Sequence, residues 1–169
     1  MQTTERAHGL ILRTRPLTET SLIVNWLTPD FGRISTVAKG ARRTKSPFRG
    51  KLDLFYEADF SFQRSRRSEL HTLREVVLRE TNSPLRTELG YLQQASYCSA
   101  LIEQTTETQT PLPEIYELFR EFIHALSKQP PKPRTVFAFE FKLLEILGLA
   151  PEIGESKLSS DARTLVNTL

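Results

Sequence analysis

From residue 9 to residue 39 short apolar-rich runs are broken by turn residues, the pattern of strands separated by turns. Gly9 to Arg15 predicts a first strand that stops at Pro16. Ser21 to Leu27, rich in β-branched and aromatic residues, predicts a second. Pro29, Asp30, Phe31 and Gly32 suit a tight turn, and Arg33 to Lys39, closed by Gly40, predicts the return strand of a hairpin. Leu52 to Phe62 and Leu70 to Leu78 predict strands four and five. Five short strands with no helix between them favour a small barrel or sandwich over a parallel sheet. An OB-like barrel is the simplest candidate, and strand count alone also allows an SH3-like barrel.

Beyond Asn82 the period changes to that of helices. Ser83 can cap a helix whose first position is Pro84, with Leu85, Leu89, Leu92, Ser96 and Ser99 on one side and an end near Gln104. A second helix begins after Pro111 or Pro113 and carries Ile115, Leu118, Phe119, Phe122, Ile123 and Leu126 as a stripe. A third, Pro133 to Leu147, has apolar residues all round its axis and reads as the central buried helix, with Gly148 as its stop. A last short helix is expected from Ser159 or Ser160 to Leu169. The fold class predicted is α+β, an OB barrel over residues 1–80 followed by an all-helical domain over 81–169.

Composition adds little, but charge adds a good deal. With 38% hydrophobic and 25% charged residues the chain has the balance of an ordinary folded protein. It has no apolar run approaching the roughly 20 residues that span a membrane, and its first residues lack the pattern of a secretory signal. A cytoplasmic location, associated with the nucleoid, is expected. The single cysteine, Cys98, offers neither a disulfide nor zinc-ligand spacing and reads as a buried helix-face thiol. The net charge of +3 is divided unevenly. Residues 1–80 hold 15 Lys and Arg against 9 Asp and Glu, a net +6, while residues 81–169 hold 8 against 11, a net −3.

The positive charge is concentrated between Phe31 and Leu52, where Arg33, Lys39, Arg42, Arg43, Lys45, Arg49 and Lys51 stand with no acidic residue among them. A basic loop containing Gly40, Ser46, Pro47 and Gly50 lets long side chains reach several phosphates, so a nucleic-acid backbone is the natural partner. A short run of basic residues ordinarily only solubilises a surface; seven without an acid favour phosphate binding. Arg64, Arg66 and Arg67 form a second cluster whose end of the barrel the sequence leaves open. Single-strand binders add aromatic platforms. Of Trp26, Phe31, Phe48, Phe55, Tyr56, Phe60 and Phe62, most read as core, and Phe48, inside the basic loop, is the candidate for stacking on a base, with packing onto the barrel as the alternative. His8, His71 and His124 are scattered, and no nucleophile motif, phosphate-cradling glycine loop or metal-ligand cluster accompanies them, so no catalytic, cofactor or metal site is expected.

Gly9-Leu10-Ile11-Leu12-Arg13, Glu19-Thr20-Ser21-Leu22-Ile23-Val24, Gly32-Arg33 and Val37-Ala38-Lys39-Gly40-Ala41-Arg42-Arg43 come in that order. Phe48-Arg49-Gly50-Lys51-Leu52, Glu69-Leu70-His71-Thr72-Leu73, Phe139-Glu140-Phe141-Lys142-Leu143-Leu144 and Gly148-Leu149-Ala150-Pro151 follow. Together they make the chain resemble the bacterial DNA repair protein family RecO. The resemblance implies an N-terminal OB fold, a helical domain, and a non-enzymatic recombination mediator. Such a mediator binds single- and double-stranded DNA, anneals complementary strands and works with RecR and single-stranded DNA-binding protein in loading RecA. It carries over to Arg33, Lys39, Arg42, Arg43 and Arg49; Lys45, Lys51 and Phe48 are added from charge and position. Family members commonly continue into a cysteine-bearing zinc module, whereas Glu152 to Lys157 contains no cysteine, so a short form without that module is expected. Neither a membrane nor a small-molecule substrate is implied. An RNA-directed OB module and a protein scaffold using the helical half are the competing readings.

Overall fold

The computed structural model describes residues 4 to 150. Five strands, β1 (Thr4–Pro16), β2 (Leu22–Thr28), β3 (Gly32–Ala38), β4 (Glu57–Gln63) and β5 (Leu70–Glu80), precede three helices, α1 (Leu89–Thr105), α2 (Pro113–Leu126) and α3 (Pro133–Ile146). The strands close into a barrel in the order β1-β2-β3-β5-β4. β3 and β5 run parallel, and every other pairing is antiparallel. This is the five-stranded Greek-key closure of an OB fold, which decides between the two barrel types the sequence allowed.

Inside the barrel, Trp26 stacks on Phe60 with ring centroids 4.0 Å apart, and its indole N–H donates to Thr36 Oγ1 at 2.9 Å, so the one polar atom of the largest core residue is satisfied. β3 alternates strictly between buried and half-buried residues, as a strand with one face on the core should. β1 breaks that rule. Leu10, Ile11 and Leu12 are all buried because the strand is covered on both faces: Ile11 points into the barrel while Leu10 and Leu12 join the core formed with the helices. A register slip between Ile11 and Arg13 in the pairing with β2 accommodates the switch. Gly32 ends the β2–β3 turn at φ +63°, and a Cβ there would lie 1.9 Å from the Thr110 carbonyl, so only glycine lets the loop before α2 close on the barrel.

Three sequence expectations are corrected. The fourth strand begins at Glu57 rather than Leu52, because Phe55 takes a left-handed backbone (φ 62°) that turns its ring into the helical core. Its N–H donates to Ile11 O at 2.8 Å and Ile11 N–H donates to Tyr56 O at 3.0 Å. The first predicted helix is two pieces, a three-ten turn over Ser83–Arg86 and then α1. Ser83 caps neither; Asn82 precedes the turn in a left-handed conformation and donates through Nδ2 to Phe55 O at 2.7 Å. The third helix is not central. α3 buries Thr135, Ala138, Phe139 and Leu143, leaves Phe137 63% exposed and Leu144 37% exposed, and so covers one side of the bundle. α2 holds the middle, burying Ile115, Phe119, Phe122, Ile123 and Leu126 from the predicted stripe together with Tyr116. The helix expected near the C-terminus lies outside the described residues.

Helices and barrel share a core. Phe55 meets Phe119 edge-on at 6.2 Å, within a cluster running from Leu10, Leu12 and Leu27 to Phe139. Polar ties surround it. Glu57, at the start of β4, accepts from Arg120 Nε at 3.1 Å and Tyr116 Oη at 3.4 Å and lies 3.4 Å from His124 Nε2. Arg13 pairs with Glu103 of α1 at 2.6 Å.

Candidate nucleic-acid interface

Residues 39–51 leave the barrel between β3 and β4 as a string of turns. Arg43 N–H donates to Gly40 O (3.1 Å), Ser46 N–H to Arg43 O (3.1 Å), Arg49 N–H to Ser46 O (3.2 Å) and Lys51 N–H to Phe48 O (3.1 Å). Gly40 starts the string at φ +69°, a conformation that costs a side-chain-bearing residue strain. The string is fastened to the β1–β2 loop, for Arg42 N–H donates to Thr20 O at 2.9 Å and Gly40 N–H to Ser21 Oγ at 3.4 Å. The backbone of the basic segment is therefore ordered before any ligand arrives.

Five of the eight predicted site residues share this surface. Lys39, Arg42, Arg43, Lys45 and Arg49 are exposed, and among the described residues none has a carboxylate within ion-pairing distance. Arg49 Nη1 also donates to Thr44 O at 3.2 Å. Arg15, at the end of β1 beside the same loops, is exposed too; the sequence places it at the end of the first strand, and its charge was not counted with the basic loop. Glu19, on the β1–β2 loop, is the one acid on that loop.

The other three predicted residues are placed differently. Arg33 lies on β3 near the opposite end, where Nε donates to Thr106 Oγ1 at 2.8 Å and Nη2 to Thr106 O at 2.5 Å. Burial there lowers its pKa below the ordinary arginine value, against a smaller opposing effect of Glu103. Lys51 Nζ donates to Val76 O at 3.1 Å and is half-buried. Phe48 is 6% exposed and belongs to the barrel core, which favours packing onto the barrel over an open platform: apolar contacts with the barrel, rather than solvent, take its ring.

The remaining barrel aromatics are occupied as well. Phe31 lies edge-on to Phe62 and beneath the Arg64 guanidinium, and Tyr56 lies beneath Arg86. Arg64 also pairs with Glu5 at 2.8 Å. Since Phe31 belongs to the β2–β3 turn, the Arg64 to Arg67 loop stands at the end of the barrel away from the basic loop, which settles a question the sequence left open. The outer face of β2, where an OB barrel ordinarily receives an oligonucleotide, is partly taken: Leu27 is buried in the core shared with the helices.

Between the loop and β2 lies an open cleft of about 290 Å³ lined by Leu22, Ala41, Phe48 and Leu52 below and Arg42, Arg43 and Arg49 above. Among the described residues no group of His, Cys, Asp and Glu is arranged to hold a metal, and no helix is long and apolar enough to cross a membrane. Glu152 to Lys157, on which the expectation of a missing zinc module rests, lies outside the described residues.

A closed OB barrel with one unpaired basic loop, backed by a helical domain that shares its core, defines the class of this protein. The family model described as "Recombination protein O N terminal" matches residues 1–82, and that described as "Recombination protein O C terminal" matches residues 86–158. The chain belongs to the recombination protein O family. It is 29% identical over 157 residues to a DNA repair protein RecO of Listeria monocytogenes, covering 93% of this chain and 61% of that one. With the proteins of the same name from Rhodopirellula baltica and Alkaliphilus metalliredigens it is 32% identical, over 85% and 88% of this chain and 53% and 60% of theirs. The chain thus spans about three-fifths or less of the length of these curated relatives.

Proposed function

We propose that this protein acts in DNA repair as a non-enzymatic recombination mediator whose basic loop holds DNA phosphates. The observation that carries the reading is the set of five exposed cations, Lys39, Arg42, Arg43, Lys45 and Arg49, without carboxylate partners among the described residues, on a loop whose backbone is already ordered. A preformed array of cations binds the backbone by releasing its condensed counterions, with little loop entropy left to lose. Two strands neutralised on such a surface approach closely enough to pair, and annealing follows from proximity.

In this reading residues 1–80 bind single- and double-stranded DNA and residues 81–169 meet protein partners. RecR and single-stranded DNA-binding protein are the partners proposed, with RecA loading as the outcome, in the cytoplasm and at the nucleoid. The exposed Phe137 and Leu144 on α3 suit a protein contact. Fluorescence anisotropy with a labelled single strand across a salt series tests the reading, comparing the unaltered protein with the double variant Arg42→Ala, Arg43→Ala. The expected slope of log affinity against log salt becomes shallower by about 0.7 per lost contact. An unchanged slope and an unchanged annealing rate would remove the loop as the site.

A further inference from the structure

The cleft under the arginines has two chemically different walls. Its floor, packed against the barrel core, is apolar, made by Leu22, Ala41, Leu52 and the edge of Phe48; its exposed rim is Arg42, Arg43, Thr44 and Arg49. A site for phosphate alone needs no apolar floor, because a phosphate gains nothing from aliphatic contact. At about 290 Å³ the cleft is at or below the roughly 300 Å³ where pockets for ordinary small molecules begin. Its size suits one flat heterocycle with the attached sugar and phosphate outside.

We propose that this cleft receives one unpaired base of a DNA strand whose phosphates lie on the arginine rim. The inference rests on the phosphate-binding role of the basic loop and adds to it a contact that only single-stranded DNA can make. The base lies against Leu22, Ala41 and Leu52, and a rim guanidinium covers its other face, as arginine planes do for unstacked bases. Phe48 then serves the nucleic acid from beneath: its ring is held in the barrel, and the edge left at the cleft floor carries the base. The apolar floor makes no demand on base identity, and any preference among bases would come from Thr44 and the rim guanidiniums. In a duplex every base is stacked and paired, so the cleft stays empty while the rim still holds phosphates.

The test compares three labelled probes in the full chain: a thymidine oligomer of about 12 nucleotides, within the site size of one OB fold, an oligomer of equal length with abasic sites throughout, and a duplex. The unaltered protein is expected to bind the thymidine strand roughly tenfold more tightly than the abasic strand, toward the low end of what one base contact contributes. Ala41→Met, which fills the floor and leaves every charge in place, is expected to abolish that difference and to leave duplex affinity unchanged. Equal affinity of the unaltered protein for thymidine and abasic strands overturns the base cleft while leaving the phosphate reading intact. Loss of abasic-strand and duplex binding in Ala41→Met, in step with the thymidine strand, overturns it too, because the substitution then disturbs the whole loop. Absence of binding to any of the three defeats the phosphate reading itself.

Discussion

Arg33 on β3 reaches across to the end of α1, its Nη2 2.5 Å from the carbonyl oxygen of Thr106 and its Nε 2.8 Å from the hydroxyl of the same residue. Gln109 N–H returns a bond to Arg33 O at 2.9 Å, so one residue of the barrel closes the C-terminus of the helix and pins the loop that follows. A helix end leaves carbonyls without partners, and a guanidinium placed there satisfies one of them with a charged donor. Arg33→Ala is accordingly expected to lower unfolding free energy by about 2 kcal/mol, the range for hydrogen bonds from a charged group. It should leave the salt slope of DNA binding unchanged. Urea denaturation and anisotropy on the same variant check both halves; a shallower slope with unchanged stability would return Arg33 to the binding surface.

Lys51 and Arg42 stand nine positions apart in the same unopposed segment, yet only one of them faces solvent freely. Lys51 Nζ is held on Val76 O, whereas the guanidinium of Arg42 lines the cleft rim. The expected result is that Lys51→Gln changes the salt slope by less than half the change seen for Arg42→Ala, which removes about 0.7 for a single strand if one contact is lost. Anisotropy titrations from low to moderate salt give both slopes.

Phe48 separates two descriptions by stability. An exposed platform can be removed at little cost to the fold, whereas a ring in the barrel core leaves a cavity. With Phe48 6% exposed among the barrel's core residues, Phe48→Ala is expected to cost about 3 kcal/mol, the lower end for deleting a buried aromatic side chain. Phe48→Leu should recover much of that loss. The denaturation midpoints of the two variants decide it, and a cost under about 1 kcal/mol would contradict core packing.

The contrast between Phe48 and its neighbours shows what could be read from the sequence. The β2–β3 hairpin was legible because Pro29, Asp30 and Gly32 encode a turn and β3 alternates cleanly. α2 was legible because its stripe keeps one period throughout. The charge of the basic loop is a property of composition and needs no fold to be seen. Phe48 could not be decided between stacking and packing because its burial comes from the barrel interior, formed by strands far away in sequence. Arg33 and Lys51 were counted as free for the same reason: Thr106 and Val76, which engage them, lie 73 and 25 residues on. α3 looked central because it is apolar all round, and periodicity does not say that its outer side, with Phe137, would be left uncovered. The cleft floor left no local signal, since Leu52 joins Leu22 and Ala41, which the β2–β3 hairpin brings together, only once the basic loop has folded back on the barrel.

His71 offers a test by pH. It is 1% exposed inside the barrel, stacked on Phe62 at 5.3 Å, and its Nδ1 accepts the Ser65 N–H at 3.3 Å. The ring proton of the neutral form therefore sits on Nε2, which is buried without a partner among the described residues. Burial depresses the His71 pKa, and the nearby Arg64 depresses it further, against smaller opposing effects of Glu5 and Glu69. The native state thus binds its proton less readily than the unfolded chain, whose histidine titrates near 6.5, so stability rises with pH wherever the two differ. The contribution is complete above about pH 6.5 and is lost as the pH falls below it toward the depressed native value. Protonation of Nδ1 would also displace the Ser65 N–H and loosen the Arg64 to Arg67 loop. The expected outcome is that the thermal midpoint drops by several degrees between about pH 7.5 and 5.5. In His71→Asn, whose Oδ1 can still accept the Ser65 N–H, the drop should be smaller. Because the two proteins differ at this position alone, the difference between the two melting curves isolates His71; parallel curves would show that its burial has no bearing on acid stability.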